Sequence, residues 1–426
     1  LLEKPTYNLE DIYRALEVIA KEKDHLQSEL YKFSKDLGKR NDKILYYDCT
    51  NYYFEIEQEQ GLRKHGISKE NRPNPIVEMG LFMDADGIPL AFSLHSGNTN
   101  EQTTLKPLEE QIIRDFGHSR FVVCTDAGLS SIANRKFNNT ANRAFITTQS
   151  LKQMKAFQKE WALSPEGWSI SGDSHEYNLN DILSDPELCE KYRDTIFHKE
   201  RWFNENKIEQ RYIVSFSIKY RNYLRNIRNE QISRAQKSLN ATGTIEKSKQ
   251  TDYKRFITRI ATTQDGEIAE QKVYVLNEDK IKEEEQYDGF YATATNLEDQ
   301  AEQIIKINRN RWEIEESFRI MKSELKARPV FLRRDERIAA HFTICYLALV
   351  LYRYLEKALD NKYTCTEIIG GLRSMKLRKI KDEGYIPAYK RTDFTDDLHE
   401  CFSFRTDYEI TRKSKMKEII RSTKKR

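Results

Sequence analysis

The stretch IVEMGLFMDADGIPLAFSLHS, residues 76–96, decides the fold. Two apolar runs flank Ala85-Asp86-Gly87, and that pattern predicts an antiparallel hairpin. Upstream, ILYYDCT (44–50) is a short apolar, aromatic strand with an acid, Asp48, near its end. Downstream, Gly97-Asn98 turns the chain into a helix reaching about Phe116, and FVVCTDAG (121–128) is a buried-type strand whose end carries Asp126. A helix near 129–138 and the strand RAFITTQ (143–149) follow. The order strand, strand, strand, helix, strand, helix, strand describes an α/β fold. Its sheet is mixed, with an antiparallel hairpin and parallel strands beyond it. Functional groups of open α/β sheets gather at the carboxyl ends of strands, which singles out Asp48 and Asp126. A carboxylate there is costly to bury unless paired or bound to a metal. The plainer reading is an acid capping the next turn. Asp84 and Asp86 are expected to serve the hairpin turn.

A second stretch, NRNRWEIEESFRIMKSELK (308–326), reads as one α-helix with two adjacent faces. Ile314, Phe318, Met321 and Leu325 form an apolar stripe suited to a sheet. Arg311, Glu315, Arg319, Lys322 and Lys326 form the other. One carboxylate among four cations suits a group that holds a metal while its neighbours hold phosphate. A plain ion pair of Glu315 with Arg311 or Arg319 is the simpler account. Glu316 points about 100° away from Glu315.

Composition limits the alternatives. With 426 residues, 32% charged and 38% apolar, the chain can bury a sizeable core and is expected to hold more than one domain. The 23 Tyr and 20 Phe argue against wholesale disorder. A net charge of +4 is small, so a polyanionic partner has to be argued from local patches. The six cysteines are scattered without zinc-type spacing and read as reduced thiols of a cytosolic protein. The run Ile338 to Leu351 is too short to span a bilayer and contains His341, so it reads as a core helix, with no membrane partner expected. His95 and His341 are expected to be structural. The chain begins Leu1-Leu2 without a Met, so an N-terminal portion is expected to be missing.

Residues 9–37 have the periodicity of one or two amphipathic helices. The loop LRKHGISKENRPNP (62–75) is expected to be mobile, with Arg63, Lys64, Lys69 and Arg72 exposed. Between about 150 and 290, the segments 211–220, 254–262, 271–277 and 288–295 read as strands, separated by a basic stretch at 219–237. The tail is basic, with nine Lys/Arg against three Asp/Glu over 405–426, and is either a frayed terminus or a nucleic-acid contact.

Asp48, Asp126 and Glu315 converge if the first two end neighbouring strands and the third lies on a helix packed beside them. Three carboxylates at short range need a counter-charge. Two Mg²⁺ ions, with Mn²⁺ as substitute, would supply it and could drive an in-line displacement at phosphorus. Arg311, Arg319, Lys322 and Lys326 would then neutralise flanking phosphates.

At these residues the chain resembles the bacterial insertion-sequence transposases of the DDE class, in the group with an RNase H-like core, a β-rich insertion and a Tyr-x2-Arg-x3-Glu-x6-Lys signature. The matching positions are Asn308, Arg311, Glu315 and Lys322, with Asn308 replacing the tyrosine. The similarity extends through YYDCTNYYFE, GISKENRPNP, DADGIPLAFSLHSGNTNEQTT, CTDAGLSS, YDGFYATATN and RIAAHFTIC, roughly residues 44–355 in preserved order. It implies that Asp48, Asp126 and Glu315 are the metal-holding catalytic triad, with Asn308, Arg311 and Lys322 near transposon-end DNA. It also implies Mg²⁺-dependent cut-and-paste transposition through a hairpin intermediate. The partners would be terminal inverted repeats and target DNA, held by a synaptic homodimer in the bacterial cytoplasm. An aromatic of the insertion would hold a flipped base, with Trp202, Tyr212 and Tyr223 as candidates.

The implied plan is a helical segment at 1–43, core at 44–150, β-rich insertion at 151–290, core with the Glu-bearing helix at 291–358, and a basic region, with a possible role in dimerisation, at 359–426. The rivals are a metal-dependent nuclease on the same core and a transposase-derived DNA-binding protein without turnover.

Overall fold

The structure, a computed structural model, describes residues 6–239, 252–260 and 273–422. In chain order it opens with helices α1 (Leu9–Lys21) and α2 (Lys23–Leu37), then strands β1 (Ile44–Tyr53), β2 (Ile76–Asp84) and β3 (Pro89–Ser96). Next come α3 (Leu105–Asp115), β4 (Phe121–Thr125), α4 (Ile132–Phe137), β5 (Arg143–Gln149) and α5 (Ala156–Leu163). They are followed by β6 (Ser169–Ile170), α6 (Leu179–Ser184), α7 (Pro186–Lys191), β7 (Phe197–Glu205), β8 (Ile208–Phe216) and α8 (Ile218–Leu239). Then come β9 (Ile257–Ile260), β10 (Val273–Leu276), α9 (Glu278–Glu285), β11 (Phe290–Thr295), α10 (Ala301–Arg309), α11 (Trp312–Ser323) and α12 (Asp335–Ala358). The chain ends with α13 (Cys365–Ser374), a small sheet of β12 (Leu377–Ile380), β13 (Gly384–Pro387) and β14 (Thr411–Arg412), α14 (Asp393–Cys401), and α15 (Lys413–Ser422).

Two units divide these elements: Leu1–Cys124 with Ala141–Arg143 and Asn310–Arg426, and Thr125–Thr140 with Ala144–Arg309. In the first, β1 is central. It runs antiparallel to β2 from Leu45–Asp84 to Tyr53–Ile76, and parallel to β4 only from Ile44–Val122 to Tyr46–Cys124. β2 pairs in turn with β3, so the expected hairpin and mixed sheet are both present. β1 continues five residues past Asp48, where the sequence pointed to a strand end. Asp48 is nonetheless close to an end, because the parallel ladder stops two residues before it.

Every residue of β2 is buried, as a strand covered on both faces requires. α12 covers the sheet with Phe342 against Tyr52 at 4.8 Å and Tyr346 against Phe92 at 5.1 Å. The Tyr346 hydroxyl donates to the Leu90 carbonyl at 2.8 Å. Full burial of each such side chain is worth about 1.5–3 kcal/mol. This helix is long and apolar enough to cross a membrane by length and composition. Here its Phe342, Tyr346, Leu349 and Val350 are buried in the protein. Behind the hairpin, Asp84 accepts the backbone N–H of Asp86 (3.0 Å) and Ile88 (2.9 Å) and pairs with Arg40 at 2.8 Å, fully buried.

In the second unit the strand order is β5-β11-β8-β7-β6, with antiparallel pairing throughout. β7 and β8 meet through Asn206 and Lys207, both at positive φ (54° and 63°), which is the two-residue turn that matches strand twist. The region expected to be β-rich also carries α5 to α9. In particular, residues 218–220, expected to end a strand, begin α8. Residues 261–262 and 271–272 of two expected strands, and the last four of the tail, lie outside the described residues. Within the described tail, Thr411–Arg412 form β14 and Lys413–Ser422 form α15.

Candidate active site

The site in the first unit begins with β1. Asp48 is the one half-buried position inside the buried run from Leu45 to Tyr52. One of its oxygens accepts the Cys49 N–H at 2.8 Å. α11 lies against this strand because Ile314, Phe318 and Met321 are buried, as their spacing required. The Tyr52 hydroxyl meets the Met321 sulfur at 3.6 Å. That seating brings Glu315, Phe318, Arg319 and Lys322 into one cleft of about 350 Å³ with Asp48, Thr50, Lys69 and Arg328.

The stretch 308–326 is not one helix. α10 ends at Arg309, and α11 starts afresh at Trp312 after Asn310 and Arg311. Asn side chains compete for backbone hydrogen bonds, so N-R-N-R is a weak place to continue a helix. At the far end α11 closes at Ser323. Lys326 takes a left-handed φ of 53°, and the Ala327 N–H reaches back to the Met321 carbonyl at 2.9 Å. Lys326 is thus exposed beyond the helix rather than on its stripe.

Each sequence-nominated side chain has a definite setting. Glu315 is exposed, with Oε1 at 3.5 Å from Arg311 Nη1, the ion pair its spacing allowed. Arg319 is exposed and its Nε donates to Glu316 at 2.8 Å. Lys322 Nζ donates to Thr50 Oγ1 at 2.7 Å and lies 3.7 Å from Glu70. Burial first, and the neighbouring Lys69 second, push its ammonium down to about 8.

Lys69 Nζ donates to the Cys49 carbonyl at 2.5 Å and pairs with Glu101 at 2.9 Å. Burial works to lower its pKa, but the nearby carboxylates of Asp48 and Glu101 outweigh burial and raise it. The sequence marked Lys69 only as a loop cation. Glu70 and Arg328, which pair with each other, had no signal of their own. Arg63, expected to be exposed, is buried with its guanidinium over the Phe54 ring at 5.9 Å. Bonds from Asn51 to the Ile67 carbonyl (3.1 Å) and to the Lys69 N–H (3.3 Å) fasten the same loop to β1.

The remaining nominees belong to the second unit. Asp126 follows β4 directly and is half-buried, and its Oδ1 accepts the Leu129 N–H at 3.0 Å. Thr147 Oγ1 donates to its carbonyl at 3.0 Å. Asn308 is buried on α10, with its amide donating to Tyr291 (3.2 Å) and Thr293 (3.1 Å) of β11. The sequence reading placed it beside DNA, whereas here it is spent on packing. Trp202 is 40% exposed on β7, opposite Arg211. Tyr223 is exposed on α8, but Tyr212 is buried and donates to Glu205 at 2.9 Å, so it has no face to offer a base.

With this geometry in hand, the family model described as "Transposase DDE domain" matches residues 57–351. The chain belongs to the transposase DDE domain family. The matched span of the DDE domain contains Asp126 and Glu315, and Asp48 lies just ahead of it. No curated protein matches the chain. A cryo-EM structure of the piggyBac transposase synaptic complex with hairpin DNA is similar to it at 8% identity and a TM-score of 0.36. That match covers 78% of this chain and 52% of the other, so this DDE chain spans about half the length of that one.

Family membership implies divalent metal. Asp48, Thr50 and Glu315 offer the cleft only oxygen donors, which suits a hard cation such as Mg²⁺ or Mn²⁺.

Proposed function

We propose that the chain is a DNA transposase that cleaves at transposon ends and joins them to target DNA, with Asp48, Asp126 and Glu315 as its metal-holding acids. The carrying observation is that Asp48 and Glu315, far apart in a DDE-domain chain, line one cleft with Lys69, Arg319, Lys322 and Arg328. Asp126 joins them on the family match, whose span contains it.

In this reading the core is RNase H-like and carries an insertion over about 151–290. Two divalent ions held by the three carboxylates would supply activation of the attacking hydroxyl and charge relief at the leaving oxygen. The chain's own residues do the rest. Lys322 and Arg319 hold backbone phosphates beside the scissile bond. Lys69 fixes the backbone after Asp48 and so the aim of its carboxylate. Arg311 holds Glu315 until substrate arrives. The partners are double-stranded terminal repeats and target DNA, engaged by a homodimer, with excision through a hairpin.

The test compares wild type with Asp126→Asn on DNA carrying the element's own ends, in Mg²⁺ and in Mn²⁺. Retained end binding with nicking lost is expected, and equal cleavage by both proteins removes Asp126 from the mechanism. Pre-cut ends distinguish joining from plain cleavage, since a nuclease would yield no strand-transfer product. Firm end binding with no cleavage in either metal would point instead to a DNA-binding descendant.

A further inference from the structure

The C-terminal part of the first unit holds a side-chain cluster that phosphoryl transfer does not use. α14 begins with a capping box in which Thr392 and Thr395 bond reciprocally. The helix carries Asp396 and His399 three residues apart, on one face. The chain then doubles back and brings in Asp407. One ligand atom from each of these three residues lies within 4.8 Å of the others.

Two features separate this cluster from an ordinary acidic patch. His399 is 1% exposed, and its Nδ1 is buried without a hydrogen-bond partner, 3.7 Å from an Asp407 oxygen. Asp407 Oδ1 is likewise buried and unbonded. A buried polar atom left unmet keeps its full desolvation penalty, which a bound cation would relieve. The other imidazole nitrogen, Nε2, is 3.2 Å from Thr406 Oγ1, which in turn meets the Tyr389 hydroxyl at 2.9 Å. Phe404 stands edge-on to the ring at 4.7 Å. A ring oriented through its outer nitrogen, with its inner nitrogen aimed at carboxylates, is how metal-binding histidines are held.

We propose that Asp396, His399 and Asp407 form a binding site for a transition-metal dication, with Zn²⁺ as the best match. One imidazole nitrogen and two carboxylates, with a fourth position left for water, fit its tetrahedral preference. The ion would tie α14 to the strand-bound segment after it, a structural role independent of the cleft at Asp48.

Arg391 and Arg405 set the affinity. Arg391 Nε is 2.6 Å from Asp396, and Arg405 Nη1 is 3.1 Å from both Asp396 and Asp407. The two guanidiniums already balance the two carboxylates, so an incoming dication meets like charge. The ion pairs of Arg405 (3.1 Å) and Arg391 (3.7 Å) with Asp407 fall on Oδ2, as does the approach of His399 Nδ1, and the unbonded Oδ1 is left to turn to a metal. The site should therefore bind more weakly than a bare His-Asp-Asp set, and removing Arg405 should tighten it.

The experiment titrates ZnCl₂ into the full, metal-stripped chain by calorimetry, in excess Mg²⁺ to occupy the proposed catalytic acids. One Zn²⁺ per chain is expected, weakened at least tenfold by His399→Gln and by Asp407→Asn and tightened several-fold by Arg405→Gln. Asp48→Asn and Cys401→Ser should bind as wild type does, which keeps this result separate from the fate of the transposase reading and from thiol capture. Should His399→Gln fail to fold, the partly exposed Asp396→Asn gives the same readout. No bound Zn²⁺, or equal binding by these variants and wild type, overturns the site.

Discussion

Lys322 Nζ lies 2.7 Å from Thr50 Oγ1, two residues beyond Asp48 on β1. The contact fixes a cation beside the acid in a place too buried for it to stay charged at high pH. Its pKa is pushed down to about 8, so the ammonium is present at pH 7 and largely lost at pH 9. Metal-free binding of end DNA should weaken several-fold across that interval, and Lys322→Arg should flatten the profile because guanidinium keeps its proton. For folding the sign is opposite. A lysine with a depressed folded pKa penalises the fold below about 8, and the penalty fades toward the ordinary 10.5. Affinity that rises with pH, or an unchanged slope in Lys322→Arg, would take Lys322 out of phosphate binding.

Arg40 and Asp84 form a buried pair whose side chains are 3% and 0% exposed. Arg40→Met strands a carboxylate in the core and should lower unfolding free energy by about 3–5 kcal/mol. Adding Asp84→Asn should return part of that loss. Denaturant melts of the two variants read both numbers, and a loss under 1 kcal/mol in the single variant contradicts the burial.

Lys326 occupies a left-handed position at φ 53°. Lys326→Gly should raise stability by about 1 kcal/mol, because only glycine sits there without strain. If this lysine also holds a phosphate, the salt slope of DNA binding should fall by about one unit. Thermal melts and salt titrations separate the two effects.

Trp202 is 40% exposed on β7. Trp202→Ala should change stability by no more than about 0.5 kcal/mol, as surface substitutions do. Stacking on a flipped base is worth about 1–3 kcal/mol, so affinity for hairpin-ended DNA should drop while affinity for fully paired ends holds. An equal drop on both substrates assigns the tryptophan to general backbone contact.

What could be read beforehand followed local periodicity. β1, β2, β3 and β5 were visible because their apolar runs are bounded by turn residues. The seating of α11 was visible because Ile314, Phe318 and Met321 recur on one face. The break at Asn310 leaves no mark on the pattern, since a stripe survives a single non-helical turn. The burial of Arg63 and the cleft position of Arg328 depend on chain returning from far away, which no window of sequence contains. β7 is illegible for another reason. Its hairpin turns on Asn206-Lys207 rather than on a glycine, and its exposed positions Glu200, Arg201 and Trp202 break the alternation. The cluster at Asp396, His399 and Asp407 escaped because its third member follows a doubling-back of the chain that spacing rules for cysteine and histidine do not test.

The cover that α12 provides has a consequence for shortened genes. A reading frame stopped before residue 335 would still encode all the acids and bases of the cleft. It would make a polypeptide whose sheet shows Phe92 and Tyr52 to water, and such a product belongs in the insoluble fraction. Inactivation of this gene by nonsense changes should therefore be complete well downstream of its last catalytic codon, with no partially working truncated forms.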